Sequence, residues 1–232
     1  MDITPVAYVE TPFHEKFGIP RQGVYTPHVT GRIIFTDDYQ NADYIRGIEE
    51  FERLWLIWGF SKVRSKNLKT TVRPPRLGGK ERRGVFATRS PFRPNRLGLT
   101  TVELLGVITT EDGKQALRVK GLDLLDGTPI YDIKPYSPEA DAFPEADAGF
   151  IQSVPFPTLK VQFAPDVDIS MLSEADHTAL VEILTQDPRP ARERTDGRLF
   201  GVSYGDYNVR FSVQGDQLTI QSIDRLTNQP EE

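Results

Sequence analysis

Eight cations, Arg73, Arg76, Lys80, Arg82, Arg83, Arg89, Arg93 and Arg96, stand in one short stretch that contains a single acid, Glu81. The 232-residue chain has a formal net charge of −5, so this stretch is a basic island in an acidic protein. Arginine presents a planar fork of donors that matches phosphate and carboxylate. Pro74, Pro75, Pro91 and Pro94, with Gly78, Gly79 and Gly84, are interleaved with the charges and exclude a long helix or a central strand. The expected structure is stiffened, irregular loop whose cations are held for an anion. A basic patch on an acidic body can dock nucleic acid while the body limits non-specific adhesion.

Other chemistries are narrowed by what the chain lacks. It has no cysteine, which removes thiolate nucleophiles and thiolate metal sites. Its three histidines, His14, His28 and His177, are widely separated and have no ligand spacing, so no metal is expected. Rossmann, P-loop and nucleophile-elbow signatures are missing, and any cofactor site must be built another way. Met1-Asp2-Ile3-Thr4-Pro5 has no basic lead or apolar run, and no stretch approaches a membrane span. A soluble cytoplasmic protein with no membrane partner is the expectation.

The elements that must position these groups read as mainly β. Val6–Val9 and Gly31–Thr36 read as strands, and Asn41 as the N-cap of a helix over 42–53 carrying Ile45, Ile48 and Phe51. Leu54–Phe60 reads as a strand buried on both sides, with Trp55 and Trp58 in the core. Runs at 100–109, 116–125 and 128–134 follow, joined at Glu111-Asp112-Gly113 and Asp126-Gly127, and suggest a meander or barrel. The proline-rich stretch 135–157 reads as a surface connection. Beyond it come a strand at 158–163, a helix capped by Ser173 and closed by Asp187-Pro188-Arg189-Pro190, and strands at 200–204, 207–213 and 217–223. The division expected is a β domain over 1–156 and a small α+β domain over 157–232.

Three stretches carry more information than filler: Arg73-Pro74-Pro75-Arg76-Leu77-Gly78-Gly79, the run from Gly84 to Asn95, and the run from Asp123 to Tyr136. With Pro20-Arg21-Gln22 and Gln186-Asp187-Pro188-Arg189-Pro190, they make the chain resemble the YaeB/TsaA/TrmO family from about Val6 to its C-terminus. That resemblance implies a non-Rossmann β-barrel that binds S-adenosylmethionine, a smaller C-terminal α+β domain, and a homodimer. It also implies methyl transfer to N6 of threonylcarbamoyladenosine at position 37 in the anticodon loop of tRNA. Carried over by motif, the cofactor contacts are Pro20, Arg21, Gln22, Ser61, Lys62, Arg89, Leu97, Gly98, Asp123, Leu124, Leu125 and Asp126. The chain departs from the family in having Ser61 where many relatives have histidine, and Arg96-Leu97 where most have Pro-Ile.

The residue types suit that ligand. A carboxylate, Asp123 or Asp126, can take a ribose diol or an ammonium. An arginine, Arg21 or Arg89, can take a carboxylate, and Leu97, Leu124 and Leu125 can wall the apolar part. Read without the resemblance, Asp126-Gly127 is a hairpin turn and Arg89 a surface ion-pair partner. On the RNA side Arg73, Arg76, Lys80, Arg82, Arg83, Arg93 and Lys134 are the candidate phosphate contacts. Phe86, Phe92 and Tyr136 are candidate stacking platforms, with core packing as the alternative for the two phenylalanines. The acceptor nitrogen is flanked by a purine and a urea carbonyl, so a group that takes its proton would help; Asp126, Asp132 and Tyr136 are the candidates. A non-enzymatic RNA-binding or regulatory protein, or a methyltransferase with another acceptor, would use many of the same residues.

Overall fold

The computed structural model describes residues 2–63, 69–190 and 193–226. The strands, in chain order, are β1 (Ala7–Glu10), β2 (Thr30–Phe35), β3 (Arg53–Gly59), β4 (Thr71–Val72), β5 (Arg83–Gly84), β6 (Leu97–Thr109), β7 (Gln115–Lys120) and β8 (Pro129–Pro135). Two single helical turns, α1 (Pro138–Asp141) and α2 (Phe150–Ser153), precede β9 (Lys160–Phe163), helix α3 (Glu174–Thr185), β10 (Leu199–Tyr204), β11 (Tyr207–Gln214) and β12 (Gln217–Arg225). The chain is mainly β. It divides into two compact units, one of Met1–Glu10, Gly31–Lys120 and Gly127–Phe156, the other of Thr11–Thr30, Gly121–Asp126 and Pro157–Glu232. The second unit therefore recruits two segments, Thr11–Thr30 and Gly121–Asp126, that precede Pro157 in the sequence.

In the first unit six strands are hydrogen-bonded in the order β1-β2-β7-β6-β3-β8, and β8 returns to β1, so that the sheet closes. Closure leaves no edge in this sheet for pairing with another chain. Strand β3 is central: Trp55 faces Thr101 on β6 and Lys134 on β8, and Ile57 faces Leu99 and Asp132. Burial alternates along β3. Leu54 and Leu56 are fully buried with Ile33, Leu117 and Ile130, whereas Trp55 and Ile57 are half-buried on the outer face. The apolar run 54–60 is thus a one-sided strand, not one buried on both faces.

Trp58 lies on the inner face, where its indole N–H donates to Thr100 Oγ1 at 3.1 Å in a buried bond. Trp55 departs from the expected core position. Its indole N–H donates to Asp141 Oδ2 at 2.8 Å, and its ring packs on Tyr136 with centroids 5.8 Å apart. The Ser137 N–H, and then that indole N–H, hold the Asp141 carboxyl below the usual carboxylate value.

The helix expected over 42–53 is absent. Two 3₁₀ turns, Ala42–Ile45 and Ile48–Glu50, replace it, separated by Gly47 at φ 82°. Ile45, Ile48 and Phe51 recur every three residues, which is the 3₁₀ period, and none is fully buried, so no apolar stripe exists to sustain 3.6-residue turns. Asn41 does cap the first turn, accepting from the Asp43 N–H at 3.0 Å. The strand expected over 116–125 stops at Lys120, where Gly121 at φ 80° turns the chain out of the sheet.

The second unit is built on the sheet β10-β11-β12-β9, with β9 parallel to β12 and the other pairs antiparallel. Val202, Val209, Phe211, Val213, Leu218 and Ile220 form its core together with Leu180, Ile183 and Leu184 of α3. Tyr204 is buried edge-on to Phe13, and burial, then Asp176 and Glu182, push its phenol well above the ordinary value. The Ser173 side chain accepts from the Asp176 N–H at 3.1 Å and donates to the Asp176 carboxylate at 2.7 Å. Ser173→Ala removes this cap and is expected to cost about 1 kcal/mol, visible as a small fall in the thermal midpoint with secondary structure retained.

Candidate functional site

The basic segment is organised by a short ribbon. Strand β4 pairs with β5, Thr71 opposite Gly84 and Val72 opposite Arg83, and the chain between them reverses through Pro75–Leu77 and the left-handed pair Gly78 and Gly79. Arg73, Lys80, Arg82 and Arg83 are exposed along this ribbon. Arg83 pairs with Glu81 at 2.7 Å, and Arg82 reaches the Thr71 hydroxyl at 3.4 Å. Arg76 is half-buried and engaged by the protein's own backbone: its Nη1 donates to the Ile151 carbonyl and to Val154 O at 2.9 Å, and its guanidinium lies 4.2 Å over the Phe156 ring. Arg93 is likewise turned inward, Nη1 donating to Thr88 O at 3.0 Å and Ser90 O at 3.4 Å. Two of the seven candidate phosphate contacts thus have donors committed to backbone carbonyls.

Arg96, the odd member of the stretch, sits at φ 52°, a conformation unusual for a residue with a side chain, and donates from Nη1 to Val63 O at 3.0 Å. Its own carbonyl accepts from the Phe60 N–H at 2.8 Å. Arg96 thereby ties the segment after β3 to the start of β6. Phe86 is 77% exposed, too open for a core residue, whereas Phe92 is half-buried under Lys69, whose Nζ lies 4.0 Å over the ring.

The candidate cofactor residues fall in both units. Ser61, Lys62 and Arg89 are exposed in the first, and Leu97 and Gly98 open β6 there. Gly98 has a packing reason to be glycine: a Cβ would lie 2.3 Å from Trp58 Cε2. Pro20, Arg21, Gln22, Asp123, Leu124, Leu125 and Asp126 belong to the second unit. Leu124 is fully buried there and Leu125 half-buried. Arg21 donates to the carbonyls of Gln186 and Asp187 at 2.9 and 3.3 Å.

The three candidate proton acceptors are likewise divided. Asp132, Lys134 and Tyr136 alternate along the outer face at the end of β8, with Lys134 Nζ 3.4 Å from Asp132 Oδ2 and Tyr136 on Trp55. Asp126 is held in the second unit. Its N–H donates to Phe13 O at 2.8 Å, its Oδ1 accepts from the Thr11 N–H at 3.0 Å, and its Oδ2 faces His14 Nδ1 at 3.7 Å. The Thr11 hydroxyl donates to Leu124 O at 2.9 Å in a buried bond, which stitches the two segments together. His14 is the residue that motif reading missed. Its only sequence signal was that it is one of three histidines, since its partner lies more than a hundred residues away.

The other two histidines are used locally. His28 pairs through its backbone N–H and its ring with the Glu182 carboxylate, and His177 stacks on Phe163 at 5.2 Å. Among the described residues no group of three His, Asp or Glu side chains is placed to hold a metal, and no helix is long and apolar enough to cross a membrane.

A closed antiparallel sheet that displays a cationic ribbon, and a second unit built on a mixed four-stranded sheet, define the class: a two-part, mainly β protein with exposed cations on its β4–β5 ribbon and, among the described residues, no βαβ nucleotide fold. Residues 8–142 match the family profile described as the tRNA-methyltransferase O N-terminal domain, and residues 157–226 match its C-terminal domain. The chain belongs to the tRNA-methyltransferase O family. It is 40% identical over 215 residues to the tRNA (adenine(37)-N6)-methyltransferase of Escherichia coli (strain K12), covering 90% of this chain and 91% of that one. It is 41% identical over 141 residues to an S-adenosyl-L-methionine-binding protein of Archaeoglobus fulgidus, covering 61% of this chain and 93% of that one. A crystal structure of the family's Pseudomonas aeruginosa member superposes with a TM-score of 0.76 at 31% identity over 97% of each chain.

Proposed function

We propose that this protein is a cytoplasmic, homodimeric S-adenosylmethionine-dependent methyltransferase that converts threonylcarbamoyladenosine at position 37 of tRNA to its N6-methyl derivative. The observation that carries the reading is family membership across both halves of the chain, joined to an exposed cationic ribbon on an acidic protein. In this reading the closed sheet is the catalytic β-barrel, within residues 1–156, and 157–232 form the α+β domain. The half-buried and exposed outer stripe of Trp55, Ile57 and Leu99 supports a homodimer, because an apolar stripe on a sheet's outer face favours a covering partner.

The donor set suits the cofactor by chemistry: Asp126 has a carboxylate 38% exposed, Arg89, Ser61 and Lys62 are exposed, and apolar Leu124 and Leu125 precede Asp126 while Phe60 and Val63 flank Ser61 and Lys62 in sequence. S-adenosylmethionine, when bound, supplies a methyl group already activated by its sulfonium. The protein's residues then need only hold the acceptor in line and take the proton from N6. Asp126 is the preferred acceptor of that proton. Its carboxylate is fixed by the Thr11 N–H on one oxygen, while the other faces the exposed His14 imidazole. Asp132 on β8 and Tyr136 just after it are the alternatives.

For the RNA, Arg73, Lys80, Arg82 and Arg83 are the phosphate contacts, and Arg76 and Arg93 shape the loops that carry them. Exposed Phe86 offers a face on which an unstacked base can rest. Calorimetric titration with S-adenosylmethionine, followed by nucleoside mass spectrometry of tRNA from a deletion strain, tests the proposal. Binding of the cofactor, with loss of the methylated nucleoside on deletion and its return on complementation, is the expected result. No cofactor binding would favour a non-enzymatic RNA-binding protein, and an unchanged nucleoside would point to another acceptor.

A further inference from the structure

Arg21 stands in the segment assigned to the cofactor, yet the structure gives both terminal nitrogens of its guanidinium another task. Helix α3 ends at Thr185, and the carbonyls just beyond a helix end have no partner within the helix. Gln186 and Asp187 are those residues, and their carbonyls accept from Arg21 Nη1 and Nη2 at 2.9 and 3.3 Å. The two peptides are held in that orientation by a buried ion cluster. Asp187 adopts φ 49°, and its carboxylate, 3% exposed, receives Arg189 Nε at 2.8 Å and Nη2 at 3.2 Å and Arg194 Nε at 3.2 Å.

The loop that Arg21 tethers is clamped at its other end as well. Gly23 packs so closely on Gly121 that a Cβ would meet its carbonyl oxygen at 1.9 Å, and Pro20 is buried. We propose that Arg21 is a positioning residue: through the Asp187 cluster it fixes the loop 18–23 for S-adenosylmethionine, and it does not itself receive the ligand's carboxylate. The inference rests on the assignment of the cofactor made above. It moves the carboxylate contact to another cation and makes Asp187, Arg189 and Arg194 remote determinants of cofactor affinity.

Ligand truncation separates the two roles. 5′-Methylthioadenosine keeps the adenosine and the thioether but lacks the amino-acid tail, so a residue that touches only the tail cannot affect its binding. In calorimetric titrations of the full-length protein, Arg21→Gln is expected to weaken S-adenosylmethionine and methylthioadenosine by the same factor, about tenfold, the equivalent of about 1.4 kcal/mol. Asp187→Asn, which tolerates the same backbone conformation but lacks the charge, should reproduce the pattern. Arg194→Gln, at a partly exposed member of the cluster, should do so more weakly. If Arg21→Gln weakens only the ligand that carries the tail, or neither ligand, the positioning role is wrong, and that arm decides the matter should Asp187→Asn fail to fold. Failure of the wild-type protein to bind either ligand would instead overturn the cofactor assignment, and the positioning role with it.

Discussion

Asp126→Asn is expected to slow methyl transfer about 10²- to 10³-fold at saturating cofactor, within the range of a lost general base, while the protein keeps its fold. The asparagine oxygen can still accept from the Thr11 N–H that Asp126 Oδ1 holds at 3.0 Å, and the bond from the residue's own N–H to Phe13 O is untouched. What disappears is the charge that could receive the N6 proton. Asp126→Ala is a harsher change, because it also strands the Thr11 N–H on a residue only 6% exposed, an additional destabilisation of about 1–3 kcal/mol. Single-turnover rates at saturating S-adenosylmethionine, with cofactor affinity measured in parallel, discriminate between roles. A rate that recovers fully at saturation makes Asp126 a cofactor ligand only, and an unchanged rate and affinity remove it from the site.

The largest effect on the fold is expected from Gly23→Ala. The added Cβ would lie 1.9 Å from Gly121 O and 2.7 Å from Gly121 C, both backbone atoms that cannot rotate aside as a side chain does. Over-packing of this kind costs about 3 kcal/mol, which for a chain of this size lowers the thermal midpoint by about 6–12 °C. Gly84→Ala is the control, since a Cβ there meets nothing within 4 Å and the backbone is at φ −55°. Differential scanning calorimetry of both variants checks the expectation. Equal midpoints would show that the segments 11–30 and 121–126 do not approach each other in this way.

Much of the architecture follows from local rules that one sequence displays. The Ser173 cap, the left-handed glycines at 113 and 127 and the alternating strands of the C-terminal sheet all rest on residues within a few positions of one another. The misreadings have local causes too. The three-residue period at 42–53 suggests a helix, but Gly47 and the absence of full burial leave 3₁₀ turns there. The apolar run at 54–60 looks two-sided in sequence because Trp55 and Ile57 are apolar on an outward face, and composition does not tell an inner face from an outer one.

The candidate site divides along the same line. The concentration of cations between Arg73 and Arg96, the absence of cysteine, and the motifs that mark the family are properties of residue type and order, and the sequence alone determined them. Tertiary structure decided what each charge does. Arg76 and Arg93 turn inward onto carbonyls, Arg82 stays at the surface, Asp126 acquires Thr11 and His14, and Arg21 is tied to Gln186 and Asp187. The reason is separation along the chain: Arg21 and Gln186 are 165 residues apart, and Thr11 and Asp126 are 115. A guanidinium or a carboxylate looks the same in the sequence whether it awaits a ligand or already serves a distant peptide, and only folding brings that peptide within hydrogen-bonding reach.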